Sequence, residues 1–164
     1  VYIVSGVTAK GVDGRDSLLD ARYEFEPGYV LKNQLNHKNS LVYLLRTGIT
    51  RFLNQFLSQK QLEHKIDIRM IYKSIEKNKL PDNVFPGTFP QWDNTPRTGN
   101  TGFSYINSSP ELFKRHLQTI SDKYKDRMFI YINAWNEWGE GAYLEPDNKY
   151  RYAYLEAIRE VFKG

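Results

Sequence analysis

Parallel βα units of an α/β fold are what this sequence predicts, on three observations. Apolar, β-branched or aromatic runs give way to polar, glycine-containing loops and then to segments with helical apolar spacing, an order that recurs about three times. The run Ile130-Tyr131-Ile132-Asn133-Ala134 stops abruptly at two tryptophans, two glutamates and two glycines, as a buried parallel strand does where it meets a functional loop. No fixed-period repeat and no low-complexity linker interrupts the 164 residues, so a single domain over residues 1–164 is expected.

Each element has its own signal. Val1 to Thr8 alternates apolar and β-branched residues before Gly11 and Gly14, a strand followed by its loop. Asp13 to Pro27 is long, charged and ends in Glu24-Phe25-Glu26-Pro27, so an active-site loop is expected there, with Tyr23, Glu24 and Glu26 as minor candidates. Leu41 to Leu45 and Ile49 to Leu57 read as helix, with Ile49, Phe52, Leu53, Phe56 and Leu57 forming a core-facing stripe. The spacing of Ile68, Ile71, Tyr72 and Ile75 predicts a helix over 66–78, and Pro81 ends it before a short strand near Val84 to Phe89. Pro90 to Asn107 reads as a second long loop. Ser109, Pro110 and Glu111 supply the N-cap, first-turn proline and acidic start of a helix ending near Tyr124. Arg127 to Ala134 is the last strand. Asp147 or Asn148 caps a final helix over 150–162, in which Tyr154, Ile158 and Phe162 recur every fourth residue.

Composition removes several classes of function. With 40% hydrophobic residues and a mean hydropathy of −0.62, the chain can fill one core but holds no run near the roughly 18 to 20 apolar residues of a membrane span. Zero cysteines exclude disulfides, a thiol nucleophile and Cys-ligated zinc, and the start lacks a signal-peptide pattern; a cytoplasmic location is the expectation. The net charge of +4 is modest, and Lys73, Lys77 and Lys79 suit a solvated helix face, which argues against nucleic acid as a partner. His37, His64 and His116 are scattered without paired spacing, so no metal is expected. No G-x-G-x-x-G, P-loop or D-x-D pattern occurs, so no cofactor is expected either.

Glu137 and Glu140 are the leading catalytic candidates. Three residues apart they would face opposite sides of a continuing strand, but Gly139 and Gly141 let the backbone turn and bring both carboxylates to one cleft. Paired carboxylates are what glycosidic chemistry requires, one to give and take a proton and one to act on the far side of the reacting carbon. Trp135 and Trp138 can stack on sugar rings, although alternation places them on different sides and assigns at least one to the core. Trp92, Asp93, Asn94 and Arg97 offer a platform, hydrogen-bonding groups and a fixed cation, while Asn136 and Glu145 are weaker candidates. The competing reading is structural: the glutamates are turn residues or partners of Arg97 or Lys149, and Asp93 pairs with Arg97 across an Asx turn.

The runs from Asn133 to Asp147, from Phe85 to Arg97 and from Lys149 to Ala157 resemble WbsX-type proteins of surface-polysaccharide gene clusters, often described as glycosyltransferases. Their catalytic domain is similar to glycoside hydrolase family 99, the retaining endo-α-mannosidases, whose pattern has a histidine where Gly139 stands. The resemblance implies a (β/α)₈ TIM-barrel-like fold, and since such barrels run to about 250 residues or more, the chain is expected to be its C-terminal portion. It also implies that Glu137 deprotonates a sugar 2-hydroxyl and Glu140 protonates the departing oxygen, on an oligosaccharide or polysaccharide substrate with a possible sugar donor. An incomplete barrel leaves open strand edges, so an open sheet or a homodimer is expected, and a catalytically inactive saccharide-binding or assembly module is the alternative function.

Overall fold

The computed structural model describes residues 1–7, 18–33, 49, 52, 65–99 and 102–163. Its framework is a parallel sheet. Strand β1 (Val4–Val7) pairs with β2 (Ala21–Glu24), which leads into the short helix α1 (Gly28–Asn33). Strand β3 (Lys65–Asp67) precedes helix α2 (Ile68–Lys77). Strands β4 (Val84–Phe85) and β5 (Gly87–Thr88) are separated by Pro86 alone and behave as one interrupted strand. The first half pairs in parallel with β2. The second pairs with β7 (Tyr131–Ile132), which follows helix α3 (Thr95–Thr98), strand β6 (Ser104–Ile106) and helix α4 (Pro110–Lys123). Proline has no N–H to give a ladder, but the Pro86 carbonyl accepts from Tyr131 N at 2.9 Å, so the interruption costs little pairing. Across the sheet the order is β1, β2, β4–β5, β7, which is also the order along the chain. A separate parallel pair joins β3 to β6.

Gly87 is required by this arrangement, since a Cβ there would lie 1.7 Å from the Glu24 carbonyl oxygen. The core lies between the sheet and its helices. Ile68, Ile71, Tyr72 and Ile75 form one buried face of α2, and Phe113, Leu117 and Ile120 one face of α4, meeting Phe89 from the sheet side and Tyr154 and Ala157 of helix α5 (Ala153–Phe162). Complete burial of a side chain such as Phe113 is worth about 1.5 to 3 kcal/mol. Helix ends follow the sequence signals: Asp67 accepts from Arg69 N at 2.9 Å at the start of α2, and Ser109 Oγ accepts from Leu112 N at 3.2 Å at the start of α4.

Buried polar groups stitch the layers together. His116 of α4 stacks on Tyr72, with its ring nitrogens 2.8 Å from Glu76 Oε1 and 3.0 Å from Thr88 Oγ1. Burial keeps its pKa below the ordinary histidine value despite Glu76. Glu24 accepts from Asn78 Nδ2 at the end of α2, and Glu26 Oε2 accepts from Val30 N at 3.0 Å in α1.

Several expectations are corrected. The segment Asp13 to Pro27 is not one loop: its second half holds β2, an interior strand, and Glu24 and Glu26 are buried, Glu24 lining a cavity of about 210 Å³ beside Tyr23 and Asn133. Pro90 to Asn107 contains α3 and β6. The final helix begins at Ala153, not Tyr150, and Phe162 is exposed. Most of the helical stripe near Leu57 lies outside the described residues, as do His37 and His64; its two described members, Ile49 and Phe52, are exposed rather than core-facing.

Candidate active site

Beyond Ile132 the chain leaves the carboxyl end of the parallel sheet, where Asn133 Nδ2 donates to the Glu26 carbonyl at 2.8 Å. It then folds back on itself. Strand β8 (Asn136–Glu137) pairs antiparallel with β9 (Ala142–Tyr143), Asn136 opposite Tyr143 and Glu137 opposite Ala142. The Trp135 carbonyl fastens the base of this hairpin by accepting from Leu144 N at 2.9 Å and Glu145 N at 3.0 Å. A single 3₁₀ turn, Trp138–Glu140, forms the tip and is closed by Gly141 at φ 58°, a left-handed conformation that glycine adopts without penalty. The expected turn at the glycines is therefore present, and the two acids share one hairpin tip.

That tip is pinned to the loop after β5. Asp93 N donates to the Glu140 carbonyl at 2.7 Å, and the loops approach so closely that a Cβ on Gly141 would lie 2.9 Å from Asp93 N. Arg97, on α3, forms an ion pair with Glu140 Oε1. Glu137 is exposed, and its side chain makes no hydrogen bond or ion pair with a described residue.

The other predicted site residues divide in two. Trp92 is 9% exposed, stacks against Phe103 at 6.0 Å and belongs to the core, so it is not the open platform expected of it. Asp93 does not pair with Arg97; its Oδ1 accepts from Thr95 N at 3.0 Å and Thr95 Oγ1 at 2.6 Å, and Asn94 Oδ1 accepts from Phe103 N at 2.9 Å. These two polar side chains are used to shape their own loop. Trp135, Asn136 and Trp138 are open to solvent, and the expectation that one indole is core is corrected: Trp135 is 53% and Trp138 49% exposed.

Trp138 is exposed yet fixed. One face stacks on Tyr143 with ring centroids 3.8 Å apart, and its indole N–H donates to Glu145 Oε2 at 2.5 Å. Tyr143 in turn donates to Asp147 Oδ2 at 3.0 Å, and Asp147 Oδ1 accepts from Tyr150 N at 2.5 Å. Burial opposes the charge on Asp147, but the Tyr150 amide and the Tyr143 hydroxyl outweigh it and hold the carboxyl below its ordinary pKa. Sequence reasoning missed Tyr143 and Asp147, because their part depends on the β8–β9 register, which no local pattern announces. Among the described residues no group of three or more His, Asp or Glu is arranged to hold a metal ion, and no helix is long and apolar enough to cross a membrane.

A family described as glycosyltransferase WbsX matches residues 1–158. WxcX, an uncharacterized protein of Xanthomonas campestris pv. campestris, is 33% identical over 155 residues in one strain and 32% in another, matching 91% of this chain. The same match covers 20% of WxcX, so the chain spans about a fifth of the length of the curated relatives it matches. A glycoside hydrolase-like protein of known structure aligns with a TM-score of 0.52 over 99% of this chain and 44% of that one; at 14% identity this is a likeness of fold.

Proposed function

The chain belongs to the WbsX glycosyltransferase family, and from that premise we propose that it is part of a carbohydrate-active enzyme that makes or breaks glycosidic bonds in bacterial surface polysaccharide, with Glu137 and Glu140 as the catalytic pair. The carrying observation is that both acids occupy one hairpin tip beyond the carboxyl end of β7, which also carries two half-exposed indoles. In parallel α/β folds that end of the sheet is where catalytic groups gather. The chain-order sheet and the partial cover of the glycoside hydrolase-like neighbour support a further reading, that these units are a sector of a (β/α)₈ barrel.

In the proposed reaction Glu137 accepts the proton of a sugar 2-hydroxyl as that oxygen bonds to the anomeric carbon. The glycosidic bond breaks, and Glu140 gives the departing oxygen its proton. Glu140 then takes a proton from water or an acceptor hydroxyl, which opens the 1,2-anhydro ring at the anomeric carbon while O2 recovers its proton from Glu137. Configuration is retained. The freedom of the Glu137 side chain from protein partners among the described residues suits the first step, and Arg97 holds Glu140 through Oε1 in its ionised form, the form that takes a proton in the second step. Trp135, Asn136 and Trp138 are the substrate-facing residues in this reading, Glu145 orients Trp138, and Trp92, Asp93 and Asn94 support the rim from below.

The alternative, a saccharide-binding or assembly module without turnover, is favoured by the exposure of the hairpin tip, which leaves water free access to the acids. Incubation with surface-polysaccharide oligosaccharides separates the two. Turnover that disappears in Glu137→Gln and Glu140→Gln, with the circular dichroism spectrum unchanged, is the expected result; binding without turnover in the wild type would replace the enzyme by the module, and neither would refute both.

A further inference from the structure

Beside the hairpin tip lies a groove of about 420 Å³ lined by Trp138, Pro146, Asp147, Asn148, Arg151 and Tyr152. We propose that this groove is a saccharide subsite that stacks one pyranose ring on Trp138 and Tyr152 and binds a carboxylate of that sugar through Arg151. The proposal deepens the function above by naming an acidic sugar, a uronic acid residue, as the unit next to the reacting bond.

Four observations carry it. Tyr152 is 62% and Trp138 49% exposed along the same groove, so both keep apolar ring surface that a sugar can cover. Trp138 is already immobilised by Tyr143 and Glu145, so little side-chain freedom remains to be lost when a ring settles on it. Arg151 is exposed, and its guanidinium makes no hydrogen bond or ion pair with a described residue, although Asp147 stands across a β-bridge from it. The Asp147 carboxylate is taken by Tyr143 and Tyr150, which leaves the fork-shaped cation for a ligand oxygen pair, the geometry guanidinium matches best. Because Trp138 directly follows Glu137, a saccharide lying in the groove would continue to the catalytic acids.

The test uses tetragalacturonate as the acidic probe and maltotetraose as the neutral one, followed through the indole N–H resonance of Trp138, one of three in the chain and identified by its loss in Trp138→Phe. The expected result is a shift with tetragalacturonate and about tenfold weaker affinity in Arg151→Asn. Asparagine keeps the backbone, since Arg151 sits at φ 51°, a region it tolerates. Tyr152→Ala is a second variant, expected to weaken both probes. An unmoved resonance, or equal affinity in the wild type and Arg151→Asn, would overturn the subsite. Its fate is separate from that of the enzyme: wild-type turnover unaffected by Arg151→Asn and Tyr152→Ala removes the groove alone, whereas acidic-probe binding without any turnover removes the enzyme alone.

Discussion

Glu26 and His116 are two side chains whose ionisation burial resists, and they act in opposite directions. Burial, with Glu24 adding to it, raises the Glu26 pKa well above 4.5, against the single Val30 amide that favours its charge. The folded state therefore keeps a proton that the unfolded chain releases above its ordinary value, and stability falls as pH rises from about 4.5 through the folded pKa. Glu26→Gln is expected to raise the melting temperature at pH 7 and leave it unchanged at pH 4; equal effects at both would contradict this account. For His116 burial lowers the pKa, so its neutral form is the folded one. Its contribution is complete above the unfolded value of about 6.5 and is lost as pH falls below that value towards the folded one. Urea midpoints measured between pH 7.5 and 5 should decline, and His116→Gln should flatten that decline while losing the bridge to Glu76 and Thr88.

Helices were far more legible than strands. The stripe of Ile68, Ile71, Tyr72 and Ile75 and the capping set Ser109-Pro110-Glu111 are local signals, and both elements stand within a residue or two of their expected bounds. Strand β2 hid behind its charges: Arg22 and Glu24 look like loop residues because the partner of Glu24, Asn78, is 54 positions away. Strands β3 and β6 are three residues each, too short for alternation to register. In the site, the turn at Glu137 to Glu140 could be read from Gly139 and Gly141, whereas the burial of Trp92 could not, since an indole suits a core and a sugar platform equally. The β2–β5 junction yields a sharp prediction. Gly87→Ala sets a methyl against the Glu24 carbonyl and must push the strands apart, at a cost of about 3 kcal/mol or more, visible as a lowered urea midpoint. An unshifted midpoint would mean the strands do not meet there.

The sheet as a whole has unfinished margins. Among the described residues β1 pairs only with β2, and β7 only with β5, so each presents one side without a strand partner. Such margins invite pairing with another chain. Sedimentation velocity on the 164-residue chain should show an average mass that rises with concentration, and Val4→Lys, which places a charge on the β1 margin, should suppress the rise. A constant monomer mass would show that the margins are covered from within.

Sheets whose strands lie in their order of synthesis need no strand to be inserted between two that already pair. Each newly made strand of this sheet docks beside the sheet strand made before it, so its growth can follow the direction of synthesis. Tyr131 and Ile132 come last of these strands, and the hairpin of Glu137 and Glu140 can set only when the surface it leans on, the segment bearing Asp93 and Arg97, has already been laid down. The hairpin thereby sets only after the sheet on which it stands.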